Sequence, residues 1–265
     1  MPRVNRTAEE EEARRENGEF IESLDRGLRV LQSFGTEHRP MTLSDIAKVS
    51  NLSRATARRI LLTLQRAGFV AGDERLFSRT PRVLALASAY LSSNQIVAVM
   101  QPLMDDISTK AREVCSLAIL DGDEAVFVAR ASPARVFSAG IDIGYRLPAY
   151  CTSVGRVLLG RLSNDDLTSA IAAMTVIAHT PETVTDKSTV TATIISDRNK
   201  GYSLVDREAE PGFRSISVPI RRYDGAVVAA ANIGAHVDRI TTGEMIDRFL
   251  PLLKNMAATA KPLLV

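Results

Sequence analysis

Two amphipathic segments, residues 42–49 and 53–66, stand on either side of a three-residue break, Ser50-Asn51-Leu52. No other feature constrains the chain as tightly, because two helices joined so closely must cross as neighbours in a helix-turn-helix. Thr42 carries a hydroxyl that caps the first segment while Asp45 reaches back in capping-box spacing, and Leu43, Ile46 and Ala47 form its inward face. The second segment opens at Ser53 and buries Ala57, Ile60, Leu61 and Leu64. Arg54 and Arg58 are four residues apart and share its other face, with Thr56, Arg59 and Thr63 beside them, and Gly68 stops it. Upstream, Ile21, Leu24, Leu28, Leu31 and Phe34 recur at helical steps until Gly35, with Pro40 beyond. Downstream, Phe69-Val70-Ala71 and Leu76-Phe77-Ser78 flank Gly72-Asp73-Glu74-Arg75, a hairpin pattern. Three helices and a hairpin in this order describe a winged helix-turn-helix.

Charge sharpens this reading. The chain of 265 residues carries a formal charge of +2, and its length suits two domains of ~100–200 residues. Residues 20–82 hold eleven Lys or Arg against six Asp or Glu, a net of +5, whereas 83–265 hold eighteen against nineteen, a net of −1. The positive excess therefore sits on the helix-turn-helix segment, as a partner polyanion requires. Residues 1–19 are polar, acidic at −2 and without apolar periodicity, and read as a disordered arm. They contain no apolar stretch of the secretory kind, and no run in the chain approaches the ~18 apolar residues of a membrane span. Cys115 and Cys151 are the two cysteines and have no C-x-x-C spacing. These features predict a cytoplasmic protein with no membrane partner.

Beyond residue 80 the texture changes. Thr80-Pro81 opens a helix whose apolar residues, among them Val83, Leu84, Leu86, Ala87, Tyr90 and Leu91, occupy more than one face until Ser92-Ser93-Asn94. A helix over 97–114 is followed by strands at 115–120, 125–130 and 136–141, the first two around Asp121-Gly122-Asp123. Helices are expected at 154–161, 165–174 and 186–199, strands at 202–205, 214–220 and 226–233, and a last helix over 242–260. The domain plan is an arm (1–19), a winged helix-turn-helix (20–80), a linker helix (81–95) and an α+β domain with an antiparallel sheet (96–265).

Catalytic chemistry finds little support. His38, His179 and His236 are far apart and lack ligand spacing. Cys151 precedes a helix whose dipole favours a thiolate, but no histidine stands near it to act as base. Gly155 and Gly160 have the spacing of a phosphate loop without its Lys-Ser/Thr. Neither an enzyme activity, a cofactor nor a metal is expected. The arginine-bearing helix fits the DNA major groove, where arginine binds guanine bidentately and hydroxyls reach phosphates or bases. Ser53, Arg54 and Thr56, with Ala55 between them, are placed for base contact; Arg58 and Arg59 beside them, Thr42 on the preceding helix and Arg75 on the hairpin complete the candidate surface on double-stranded DNA.

In the second domain, residues 144–156 bring hydroxyls, an aromatic ring and Arg146 and Arg156 to the mouth of a helix that begins near Ser153. Free N–H groups there suit an anion such as a carboxylate. Ser215, Ser217 and Asn232 interrupt otherwise apolar strands, and either line a ligand pocket or are satisfied by the backbone.

From Ile21 to Val265 the chain resembles the IclR family of bacterial transcriptional regulators. The resemblance is carried by Ser23-Leu24-Asp25-Arg26-Gly27-Leu28, Leu43-Ser44-Asp45-Ile46-Ala47, Ala57-Arg58-Arg59-Ile60-Leu61, Pro148 through Gly160, and Glu208 with Gly212 through Ile220. The Tyr150-Cys151-Thr152-Ser153-Val154-Gly155-Arg156 run is most similar to the subgroup that controls the β-ketoadipate pathway of aromatic-acid breakdown. It implies a GAF-like effector domain, a small carboxylic-acid effector, and a homodimer or tetramer on a palindromic operator. The family's pocket positions fall on Val136, Ala139, Ser153, Val154, Ser215, Asn232 and Gly234. Together these readings place a carboxylate at Thr152 and Ser153, apolar contacts at Val136, Ala139 and Val154, and the effector's far polar end at Ser215 and Asn232, as for a hydroxybenzoate or an oxo-dicarboxylate. The alternatives are a regulator of the same family sensing an unrelated carboxylate, an enzyme using Cys151 or Ser153, and a sequence-tolerant DNA-packing protein. The last would need a basic surface throughout, which residues 83–265 lack.

Overall fold

Residue by residue, the N-terminal elements follow the capping and stripe signals. The computed structural model describes residues 20–35, 39–73, 75–133 and 142–265; the acidic arm, His38, and the strand expected at 136–141 with Val136 and Ala139 lie outside them. Its first unit, up to Ser93, comprises α1 (Glu22–Gln32), β1 (Met41–Thr42), α2 (Leu43–Val49), α3 (Arg54–Arg66), β2 (Val70–Gly72), β3 (Leu76–Arg79) and α4 (Val83–Ser93). Thr42 and Asp45 form the expected reciprocal capping box. Asn51 takes the left-handed conformation, φ 54°, in the turn between α2 and α3, a region that asparagine enters more readily than most side chains. Val30, Phe34, Ile46, Leu61, Val70 and Phe77 form the core. The strands form a sheet in the order β1-β3-β2, so the hairpin gains a two-residue partner strand too short to leave a sequence pattern.

One expectation is corrected here. The helical stripe of α1 is only partly buried: Phe34 enters the core and Leu31 packs against it, whereas Leu24 is 58% and Leu28 50% exposed, and Val30, outside the stripe, is buried. The periodicity marks an apolar face, and among the described residues of this unit its Ile21, Leu24 and Leu28 portion stays exposed. Leu84, Leu86 and Tyr90 on α4 are exposed as well.

The second unit runs from Asn94. It contains α5 (Gln95–Ala111), β4 (Val114–Asp121), β5 (Glu124–Ala131), β6 (Arg146–Pro148), α6 (Ser153–Leu159), α7 (Asn164–Ala173), α8 (Lys187–Lys200), β7 (Ser203–Asp206), β8 (Phe213–Arg221), β9 (Val227–His236), α9 (Thr242–Glu244) and α10 (Leu250–Ala260). The sheet is antiparallel with order β6-β5-β4-β9-β8-β7. Alternation divides it cleanly. Cys115, Leu117, Ile216, Val218, Ala231 and Ile233 pack with Met100 and Met104 of α5 and Leu253 and Met256 of α10. On the other face Ala118, Phe127 and Ala230 pack with Val154 and Leu158 of α6. The last helix is not continuous: Met245–Phe249 forms a π turn before α10. Pro251 has no N–H and its ring crowds the preceding turn, which accounts for the widening. Among the described residues no single helix is long and apolar enough to cross a membrane.

Candidate functional site

On α3, Ser53, Arg54, Ala55, Arg58 and Arg59 are exposed and Thr56 is half-buried. The helix buries Ala57 and Leu61, which leaves the arginine face outward. Among the described residues Arg54, Arg58 and Arg59 make no ion pair, whereas Arg26 and Arg29 on α1 pair with Glu22 and Asp25. The hydroxyl of Ser53 is engaged locally: its Oγ donates to Thr56 Oγ1 at 2.9 Å and accepts from the Thr56 N–H at 3.2 Å. Thr42 Oγ1 is likewise held by Asp45, at 2.7 Å. Both hydroxyls set the start of their helices and remain exposed, beside the outward arginines of α3. Arg75 is exposed in the hairpin turn, where Asp73 accepts from the Arg75 and Leu76 N–H groups at 3.1 and 3.0 Å. Those hydrogen bonds hold the Asp73 carboxyl below its ordinary value.

In the second unit a cavity of about 610 Å³ opens beside α6, and Thr152, Val154, Ser215, Asn232 and Gly234 line it. Register explains the grouping. Arg130 pairs with Ser116, Ser116 with Asn232, and Asn232 with Ser217, so one polar row crosses β5, β4, β9 and β8 on the α6 side. Ser217 is satisfied by the backbone, donating to Ala231 O at 2.9 Å, while Asn232 Oδ1 is buried with no hydrogen-bond partner among the described residues. The two open readings of these strand polars thus divide between them. Gly234 faces the Phe213 ring, and a Cβ there would lie 2.5 Å from Phe213 Cζ.

The helix mouth differs from the expectation. Thr152 is its cap, with Oγ1 donating to Pro148 O at 3.1 Å and accepting from the Gly155 N–H at 3.2 Å. Ser153 is fully buried, and its Oγ lies 2.7 Å from Ser215 Oγ. Ser215 therefore stands against Ser153, not at the far end of a ligand from it. Neither arginine serves the mouth: Arg146 pairs with Asp121 and Glu124 at 2.6 and 2.8 Å, and Arg156 with Glu208 at 2.7 Å. The polar groups that do line the cavity include Arg130, Glu113 and Arg239, which sequence reasoning passed over. Their meeting depends on strand register and on chain closure, neither of which leaves a local signal.

Cys151 also lines the cavity, but its thiol is pushed up to about 12 by burial and by the Glu208 charge. Burial raises Cys115 to about 12 as well. The helix dipole does not make Cys151 a thiolate, because desolvation outweighs it. His179 lies near the Tyr150 ring and His236 near Asp238.

Comparison with known proteins follows the same division. Residues 23–74 match the IclR helix-turn-helix domain, and residues 88–261 match the C-terminal domain of bacterial transcriptional regulator IclR. The Pca regulon regulatory protein of Pseudomonas putida is 40% identical over 236 residues, 89% of this chain and 81% of that protein. The p-hydroxybenzoate hydroxylase transcriptional activator of Acinetobacter baylyi is 35% identical over 252 residues, 93% of this chain and 92% of that protein. Among solved structures, a double mutant of the inducer-binding domain of the Acinetobacter transcription factor PobR, in complex with 3-hydroxybenzoic acid, matches with 33% identity and a TM-score of 0.60, covering 63% of this chain and 98% of that one. These relatives agree with the subgroup that the Tyr150–Arg156 run resembles. With both domains matched in order and the identities sustained along the chain, the protein belongs to the IclR family of bacterial transcriptional regulators.

Proposed function

We infer that this regulator controls genes of aromatic-acid breakdown, reading double-stranded operator DNA with α3 and responding to a small aromatic carboxylic acid bound in the second unit. The observation that carries the reading is the cavity beside α6, which combines an apolar body with a wall where Arg130 and Arg239 stand among Glu113, Glu210 and neutral polar groups, in a domain matched by one solved with 3-hydroxybenzoic acid. Arg130, whose Nη1 also meets the exposed Asp142 carboxylate at 3.4 Å, offers its positive charge to the effector's carboxylate in exchange for that contact; Phe127, Leu147 and Val154 offer apolar contact to the ring; Ser215, held by Ser153, and Asn232 offer hydrogen bonds to the other end. Thr152 and Gly234 shape the wall without a free polar group of their own. The exposed apolar faces of α1 and α4 support a homodimer or tetramer, since a second copy is the economical way to cover them.

Calorimetric titration of the full chain with 3- and 4-hydroxybenzoate tests the effector reading. Both acids should bind, their uncharged amide analogues should bind more weakly, and Arg130→Gln should weaken the acids by roughly ten- to a hundredfold, the loss of a charged hydrogen bond worth ~1.5–3 kcal/mol. Absence of binding by either acid to the folded wild-type protein rejects the reading. For DNA, Arg54→Ala should cost about 1–3 kcal/mol at the cognate operator and narrow the preference over random duplex, as loss of a bidentate base contact does. Fluorescence anisotropy at fixed salt measures it, and an equal loss on operator and random DNA would assign Arg54 to phosphate.

A further inference from the structure

The groove between α1 and α3 in the first unit takes no part in the DNA or effector readings. It measures about 630 Å³, and Leu24, Gly27 and Leu28 of α1 line it from one side, Arg59, Ile60 and Thr63 of α3 from the other. Glu22 and Arg26 stand at its edge and are paired with each other. The charges around the groove are thus matched, while Leu24 and Leu28 stay exposed.

Gly27 is the informative residue. Glycine in a helix interior is less stable than alanine, because it loses more backbone freedom on folding. Two local reasons could offset that cost, and neither holds. The Gly27 backbone is not in the left-handed region, and a Cβ built there would meet nothing within 4 Å. The fold of this unit has room for a larger side chain and no need of glycine. What the missing side chain supplies is access, since another helix can come close to the α1 main chain at this point.

The same unit carries a helix that matches such a seat. α4 has no charged residue from Val83 to Ser93, and none of its described side chains is buried. Leu84, Ala87 and Leu91 recur at steps of four and three and form one stripe, large-small-large. Laid in the groove, this stripe sets Ala87 against Gly27 with leucines packing on either side. The α1 helix of a second copy matches less well, because it brings the charged Asp25 and Arg29 with it and leaves α4 uncovered. A two-fold arrangement lets each copy give its α4 and receive the other's, so one repeated contact covers both apolar faces. Residues 20–82 of each copy carry +5 and repel; an uncharged helix in an apolar seat adds nothing to that repulsion.

We propose that the α1–α3 groove is the seat for the α4 helix of a second copy of this chain, with Gly27 the point of closest approach. The proposal rests on the homodimer reading and specifies its interface. Arg59 and Thr63 line the groove, so the seated helix lies against the recognition helix as well as α1.

Cross-linking of cysteine variants tests the pairing, with the native Cys115 and Cys151 buried and out of the reagent's reach. Full-length chains carrying Leu28→Cys or Ala87→Cys are mixed, allowed to exchange subunits and treated with a short bismaleimide. The mixture should give a covalent dimer, and each variant alone at least about tenfold less, as a heterologous pair of positions requires. Efficient cross-linking of Leu28→Cys alone would set α1 against α1, and of Ala87→Cys alone α4 against α4. Either result overturns the proposal and leaves the homodimer standing, as does a dimeric mixture that yields no cross-link. Sedimentation equilibrium gives the second measurement. Gly27→Leu puts a better helix former in α1 and fills the groove, so helical content by circular dichroism should be kept while self-association weakens at least about tenfold. Unchanged self-association of that variant overturns the proposal. Wild-type protein that sediments only as monomer at micromolar concentration rejects the homodimer reading, and the proposal with it.

Discussion

Replacing Arg156 with methionine lowers the stability of the second unit by about 3–5 kcal/mol, the cost of removing one partner from a buried ion pair. Arg156 is 3% exposed. Its Nη2 donates to Glu208 Oε2 at 2.7 Å and its Nε to the Tyr150 carbonyl at 2.8 Å. The same Glu208 oxygen accepts from the Val184 N–H at 3.1 Å, and the Glu208 carbonyl from the Thr183 hydroxyl at 2.6 Å. The Arg156–Glu208 pair therefore joins α6 to the segment before β8 and to the loop before α8. Methionine keeps much of the volume but leaves a buried carboxylate uncompensated. Pairing the change with Glu208→Leu should recover most of the loss, because two matched apolar residues avoid the desolvation cost of both ions. Urea unfolding followed by far-UV circular dichroism measures both variants. A single-variant loss below about 1 kcal/mol would mean that the pair behaves like an exposed one.

Gly155→Ala is the second large effect, with an expected loss of about 3 kcal/mol or more, at or above the usual range for overpacking. A Cβ at this position would lie 2.3 Å from both Cα and the carbonyl oxygen of Ala149. These are main-chain atoms, so no rotamer change relieves the contact, and α6 must move off the turn at Ala149–Cys151. Thr152 and Val154 move with it, and both line the cavity. Acid affinity should therefore fall together with melting temperature, whereas Arg130→Gln should reduce affinity with little change in melting temperature. Unchanged melting and unchanged affinity in the alanine variant would show that the backbone absorbs the methyl group.

The cavity was partly legible because some of its residues break a local rule. Ser215 and Asn232 interrupt apolar strands, and Thr152 stands where a helix needs a cap. Ser217 breaks the same rule and is simply bonded to the backbone, so the sequence signal alone does not separate a ligand contact from a satisfied core polar group. The helix mouth misled for a related reason: a rich local supply of hydroxyls and arginines says nothing about where they are spent. Arg146 is taken by the β4–β5 hairpin and Arg156 by Glu208, a partner 52 residues away.

Local chemistry by itself determined the helix-turn-helix and its caps, the outward arginine face of α3, and most of the α+β element order. These follow from side-chain periodicity and from hydrogen bonds three or four residues long. Tertiary structure alone decided that Leu24 and Leu28 of the α1 stripe stay exposed among the described residues while Phe34 is buried, that Ser153 and Ser215 share one hydrogen bond, and that Glu113 meets Arg239 across 126 residues of chain. The reason is physical: periodicity shows that a face exists, whereas its partner is chosen by strand register and chain closure, which involve residues too far apart in sequence to leave a local pattern.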